Sequence, residues 1–185
     1  MAFLRRGRAR WAALLSLLLV PGLPAGAQRE ASESDVKAAF LYNFTKFVDW
    51  PPAAFASGDS PFRLCVFGQD PFGRGLDDLV RGETVNSRRL VVERPDRIQD
   101  LRSCHLLFVS RSERARTEEI LDSLRGTSVL TVGESDGFLD KGGLINFVRS
   151  GTKIRFEIRE RPATPEAPKI SSKLMRLAVN SPGAR

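Results

Sequence analysis

The chain has 185 residues, of which 42% are hydrophobic and 28% are charged, so it is long enough for one domain with a sizeable core. Its 29 basic and 22 acidic residues give a formal net charge of +7. The basic residues are scattered among acidic ones, without a long basic run or a nucleic-acid-binding motif, which argues against a nucleic-acid partner.

The first 27 residues have the order of features of a secretory signal peptide. Four arginines precede the apolar run 11–20, and the sequence A-G-A at 25–27 is a small-residue cleavage site. The run is too short for a membrane anchor, which needs about 20 apolar residues. We therefore predict that residues 1–27 are removed on export and that 28–185 form one domain. Removing the four arginines leaves 25 basic against 22 acidic residues, a mild net charge of +3.

The first predicted element is a helix over residues 35–48. Ser32 and Asp35 fit a capping box, and Pro51 stops the helix. Apolar side chains recur at helical spacing and predict one buried face, made of Val36, Phe40, Phe44, Phe47 and Val48. Asn43 falls within that face, so we predict that its amide bonds to a nearby loop.

Strands and helices alternate along the rest of the chain. Strands are predicted at 62–68, 88–94, 104–110, 128–132, 144–150 and 153–160, with the last two turned at Gly151, and helical segments at 71–81, 96–101, 113–124 and within 165–179. The inward-facing residues of the last two helices are predicted to be Ile120, Leu121 and Leu124, then Leu174, Leu177 and Ala178. This order predicts an α/β fold: a single compact α/β sandwich with a central mixed, mostly parallel sheet flanked by helices.

The two cysteines, Cys65 and Cys104, are 39 positions apart. An exported protein meets an oxidising compartment, where an even cysteine count favours one disulfide. Two buried thiols are the alternative that the sequence leaves open.

A hydrolase-like motif, G-x-S-x-G, occupies residues 133–137 and places Ser135 after a predicted strand. A nucleophile elbow must turn directly into a helix, but three glycines fall within residues 137–143. The hydroxyl also needs a histidine base after it in the chain, and the single histidine, His105, precedes it in a predicted buried strand. We interpret Ser135 as a turn residue and predict no catalytic residues.

Residues 68–75, GQDPFGRG, have the glycine spacing of a phosphate-binding loop but lack its Lys and its Ser or Thr. They are interpreted as a turn from strand to helix. One histidine and two distant cysteines do not make a zinc site without several carboxylates. The sequence thus predicts neither a metal nor another cofactor.

Several strings resemble the YfiR-like family of exported bacterial proteins. They are VKAAFLYNFTKFVDWP at 36–51, RLCVFGQDPFG at 63–73, CHLLFVS at 104–110, SVLTVGE with GF and KGGLINFV at 128–148, KIRFEI at 153–158 and ISSKLMRLA at 170–178. They follow one another through nearly the whole mature chain.

The resemblance implies a periplasmic repressor. Such proteins bind the periplasmic sensor domain of an inner-membrane diguanylate cyclase and hold it inactive, so that their release raises cyclic-di-GMP and favours biofilm formation. A sensor kinase is the other implied target, and an outer-membrane lipoprotein that sequesters the repressor is a further implied partner. The match also implies that Cys65 and Cys104 form a bridge, structural or redox-sensitive. A homodimer is left open.

A repressor needs a surface that binds one state of its target, and exposed apolar residues would mark it. The candidates are Trp50 and Phe55 after the first helix and Phe138 and Leu139 in the glycine-rich loop. Packing at the edge of the core is the alternative for each. The alternative function is a periplasmic small-ligand-binding or enzymatic α/β domain, which a pocket with convergent polar groups would favour.

Overall fold

The computed structural model describes residues 31–159, 166 and 168–180, so the predicted signal peptide of residues 1–27 lies outside the described residues. The helices are α1 (Glu33–Phe47), α2 (Arg74–Val80), α3 (Thr117–Ser123) and α4 (Ser172–Leu177). The strands are β1 (Val48–Asp49), β2 (Phe62–Phe67), β3 (Thr84–Val85), β4 (Arg88–Glu93), β5 (Leu106–Val109), β6 (Leu130–Gly133), β7 (Ile145–Ser150), β8 (Lys153–Ile158) and β9 (Lys169–Ile170). Short 3₁₀ segments cover Pro52–Ala54, Ile98–Ser103 and Arg111–Arg116.

A seven-stranded sheet in the order β3-β4-β2-β5-β6-β7-β8 forms the centre of the domain. Neighbours from β4 to β7 run parallel, and the pairs at each end, β3 with β4 and β7 with β8, run antiparallel. A separate two-stranded sheet pairs β1 with β9. The predicted α/β class with a mixed, mostly parallel sheet is confirmed.

The central strands β5 and β6 are buried along their whole length because the sheet is covered on both faces. One core cluster includes Leu64 and Phe108 with residues of α1, α2 and α4. The other includes Cys65 and Leu107 with Ile120 and Leu121 of α3. Alternate side chains of each strand thus supply the two cores.

Helix α1 begins as the capping box predicts but buries a face that only partly overlaps the predicted one. The Ser32 hydroxyl accepts from the Asp35 N–H, and the Asp35 carboxylate accepts from the Ser32 N–H. Phe44 and Val48 of the predicted face are buried and Phe40 and Phe47 pack against the core, but the buried face is rotated so that it also includes Lys37, Ala38, Leu41 and Thr45. The prediction for Asn43 was wrong: this residue is exposed. The rotated face includes an inward-facing lysine, whose partner is described below.

The other helices are shorter than the sequence suggests. The predicted helix over 113–124 begins as a 3₁₀ segment and becomes α3 only at Thr117. Ser171 caps α4, which buries Leu174 and is followed by the buried Ala178. The prediction that Leu177 faces inward was wrong, because its side chain is 57% exposed.

Candidate functional site

A disulfide joins Cys65, in the middle of β2, to Cys104, just before the neighbouring strand β5. The two Cα atoms are 5.9 Å apart, within the usual range for a bridge. Both residues are buried in the core on the α3 side of the sheet. The bridge therefore fixes the start of β5 to its neighbour and closes a 39-residue stretch of chain.

His105, next to Cys104, holds the segment that follows α1. Its Nδ1 accepts from the backbone N–H of Arg63 at 3.0 Å, so Nε2 carries the hydrogen and donates to the Ala54 carbonyl at 3.1 Å. Burial lowers the pKa of His105 to about 4; the bond to Ala54 opposes this shift, and the charges of Arg63 and Arg88 add to it. His105 is thus a neutral, structural side chain near pH 7.

We expect the free energy of unfolding to fall as the pH drops from 6.5 towards 4. The pKa of His105 is about 4 in the folded chain, below its ordinary 6.5, so in this window the unfolded chain binds a proton that the folded chain does not. The stabilisation that comes from this pKa difference is complete above pH 6.5, and it is lost as the pH falls to the pKa of His105 in the folded chain. The expected slope near pH 5 is about 1.2 kcal/mol per pH unit.

Urea unfolding across this pH window measures that slope. His105→Gln removes the only imidazole of the chain. The free energy of unfolding of this variant should therefore change less with pH, and most of the expected slope should be absent. Equal slopes for the two proteins would show that His105 titrates normally in the folded state.

Two of the predicted partner-surface residues, Trp50 and Phe55, lie beside His105. Trp50 is only 8% exposed; its Nε1 donates to the His105 carbonyl at 3.0 Å and its ring meets Phe62 edge-on. Phe55 is half-buried and stacks on the imidazole at 4.4 Å, with the Arg88 guanidinium 3.9 Å from its ring centre. Trp50 is therefore part of the core, and Phe55 is the accessible member of the pair.

The other two, Phe138 and Leu139, lie beyond the opposite, carboxyl-terminal edge of the sheet. Phe138 is 1% exposed, and a Cβ built on either Gly133 or Gly143 would overlap its ring. The glycines of this region thus make room for an aromatic side chain. Leu139 is half-buried against the same core cluster. The four residues do not form one surface, and their role in partner binding stays a prediction.

Ser135 and His105 lie at opposite edges of the parallel sheet. His105 precedes the amino end of β5, whereas Ser135 follows the carboxyl end of the adjacent β6. A strand of this length spans about 13 Å. The two side chains are therefore too far apart for a nucleophile–base pair. The Ser135 carbonyl accepts from the Phe138 N–H at 3.2 Å, as expected of a turn residue.

The segment with phosphate-loop spacing directs its N–H groups at the protein itself. Asp70 Oδ1 accepts from the N–H of Phe72 at 2.7 Å and of Gly73 at 3.2 Å. Arg94 donates to Asp70 Oδ2 at 2.7 Å and to Asp77 at 2.6 Å, and this second bond lowers the pKa of the Asp77 carboxyl. The backbone N–H groups of Phe72 and Gly73 thus already have an anionic acceptor within the chain, the Asp70 carboxylate.

A charged network that sequence analysis missed joins α1 to the carboxyl edge of the sheet. Lys37 is 6% exposed, and its Nζ lies 2.6 Å from Glu134 Oε2 and 2.5 Å from Glu33 Oε1. Glu134 Oε1 also accepts from the Arg111 N–H at 3.0 Å, and Arg149 pairs with Glu33. The bond from Lys37 lowers the pKa of the Glu33 carboxyl. The sequence carried two signals of this network. Lys37 falls within an apolar helical pattern, and Glu134 directly follows a buried strand.

Within the described ranges, no group of three or more His, Cys, Asp or Glu side chains is arranged to hold a metal ion. None of the helices described here is long and apolar enough to cross a bilayer. The fold and these residues define a disulfide-linked α/β domain of the kind found in exported proteins, in which hydrolase-like and phosphate-loop-like motifs serve as turns.

The chain belongs to the YfiR/HmsC-like family, whose model (DUF4154) matches residues 34–179. The resemblance seen in the sequence is thereby confirmed. No curated protein shows a significant match to the chain. Membership of this family suggests a periplasmic regulatory protein, and the disulfide fits an oxidising compartment.

Proposed function

We propose that this protein is a non-catalytic periplasmic regulator that binds and represses the periplasmic sensor domain of an inner-membrane diguanylate cyclase. Repression would lower cyclic-di-GMP and biofilm formation. The observation that carries the proposal is the family match over residues 34–179. Release from the cyclase, by sequestration on an outer-membrane lipoprotein, would restore synthesis of the second messenger.

A regulator of this kind acts by binding one conformation of its target more tightly than another. Its working part is then a rigid surface, and the features described above favour rigidity. The disulfide fixes β2 to β5, and Lys37 fixes α1 to the sheet. The accessible Phe55 and Leu139 lie at opposite edges of that sheet and so would belong to different contact areas.

The most exposed large apolar side chain of the described residues is Leu177 on α4. One turn earlier on α4, Lys173 lies beside the end of α1, with its Nζ 5.0 Å from the ring centre of the half-buried Phe47. The exposed side chain of Leu177 offers a partner apolar surface that the core of the domain does not use. We therefore place the partner contact on this α4 surface, made of Leu177, Lys173 and Phe47.

Co-purification with the periplasmic domain of the cyclase or sensor kinase encoded beside its gene tests the proposal. We expect a complex, and we expect Leu177→Ser to weaken it by about tenfold or more, as for one central interface residue. The matched control is Leu79→Ser, since Leu79 on α2 is 39% exposed and outside this surface. Failure of the wild-type protein to bind either domain would refute the proposal, and equal effects of both variants would refute the placement.

A further inference from the structure

A depression of about 390 Å³ opens between the end of α3 and the loop before β7. Its apolar wall consists of Leu121, Leu124, Val129 and Leu144, and Arg159 lies on its polar side. The volume falls within the range of small-ligand sites. We name it the Arg159 pocket.

The guanidinium of Arg159 has an unused hydrogen-bond donor in this pocket. Its Nη1 is buried and has no hydrogen-bond partner among the described residues. A guanidinium keeps its charge in proteins, and a buried donor without an acceptor is unfavourable. Two carboxylates line the pocket, but Asp122 is paired with Arg125 at 2.7 Å and Asp140 makes no ion pair with Arg159. The pocket therefore supplies a cationic donor that lacks an acceptor.

Gly142 of the backbone lies directly beside this buried donor. Gly142 lines the pocket with φ +110°, a conformation that side chains disfavour, and a Cβ there would lie 3.5 Å from Arg159 Nη1. The neighbouring Lys141 adds a second positive charge, and its one ion pair among the described residues, to Glu118, is long at 3.9 Å. An anion bound to Arg159 would thus also be attracted by the positive charge of Lys141.

We propose that the Arg159 pocket binds a small organic carboxylate with an apolar body. A carboxylate matches the planar fork of a guanidinium and supplies the missing acceptor. The leucine and valine wall would cover the apolar body, whereas a free phosphate would leave that wall uncovered and bring more charge than the few donors can satisfy. This inference concerns a ligand of the chain itself and does not depend on the proposed partner.

Titration of the isotopically labelled mature protein with benzoate, followed by NMR, tests the inference. We expect saturable shifts of the Gly142 amide and of the Arg159 side-chain resonances. Arg159→Gln should weaken binding by about tenfold or more, because it removes a charge-assisted hydrogen bond. Arg159→Lys should bind benzoate with an affinity between those of wild type and Arg159→Gln, because it keeps the charge but loses the planar fork.

The matched control is Arg155→Gln, since Arg155 is exposed on β8, which ends directly before Arg159, and lies outside the pocket. It should bind benzoate as wild type does, and circular dichroism checks that each variant is folded. Unsaturable shifts, or equal affinity of a folded Arg159→Gln variant, would overturn the site. Tighter binding of inorganic phosphate than of benzoate would overturn the class of ligand.

Discussion

Replacing Cys65 and Cys104 together by alanine is expected to lower the free energy of unfolding by about 4 kcal/mol under oxidising conditions. The bridge closes a 39-residue stretch, and its loss restores conformational freedom to the unfolded chain. For a domain of this size, that loss corresponds to a fall in melting temperature of about 8–16 °C. Thermal unfolding followed by circular dichroism measures it.

Reductant provides the control for the bridge itself. Wild type should melt at a lower temperature after reduction, while the double alanine variant should be insensitive to reductant because it has no other cysteine. The single variant Cys65→Ser should lower the melting temperature relative to wild type only when the wild type is oxidised. Identical melting of oxidised and reduced wild type would show that the bridge does not stabilise the fold.

The second large effect concerns the buried lysine. Lys37→Met is expected to lower the free energy of unfolding by about 3 kcal/mol, because it leaves Glu134 buried without its cationic partner. The Arg111 N–H remains as a donor to Glu134 but is a single neutral hydrogen bond. Urea unfolding at neutral pH measures the change.

A double variant separates the ion pair from the packing. Lys37→Met with Glu134→Gln removes both charges and keeps an acceptor for the Arg111 N–H, so it should recover to within about 1 kcal/mol of wild type. The matched control is Lys46→Met, since Lys46 lies on the same helix but is exposed. An effect of Lys37→Met no larger than that of Lys46→Met would contradict a stabilising role for the pair.

The local signals in the sequence were sufficient for the architecture. Alternating strands and helices predict the mixed α/β sheet, and Ser32 with Asp35 predicts the start of α1. The two cysteines and export predict the bridge. These features depend on short-range chemistry or on pattern, which a single sequence carries.

The side-chain orientations that were missed depend on contacts between distant parts of the chain. The buried face of α1 includes Lys37, whose partner Glu134 is 97 residues away in sequence. Phe138 is buried because Gly133 and Gly143 leave space for its ring. Hydropathy alone suggests that the lysine faces solvent, which is wrong here, and it left two interpretations of Phe138, of which core packing is the one observed.

The candidate site was harder to predict than the fold, because the exposure of a side chain depends on how the whole core packs. Leu177 fits a helical apolar pattern, but α4 ends there and the side chain projects away from the core. Arg159 carries no motif, and the absence of an acceptor for its Nη1 emerges only from the folded chain. Ligand binding at its pocket therefore stays a proposal that the sequence alone did not suggest for this residue.

The most direct test of the central claim is the initial rate of cyclic-di-GMP synthesis by the neighbouring membrane cyclase, measured in reconstituted membranes as mature protein is added. We expect a saturable fall in that rate, with Leu177→Ser requiring a higher concentration and Leu79→Ser following wild type. A rate that stays constant up to saturating protein would contradict repression by this chain.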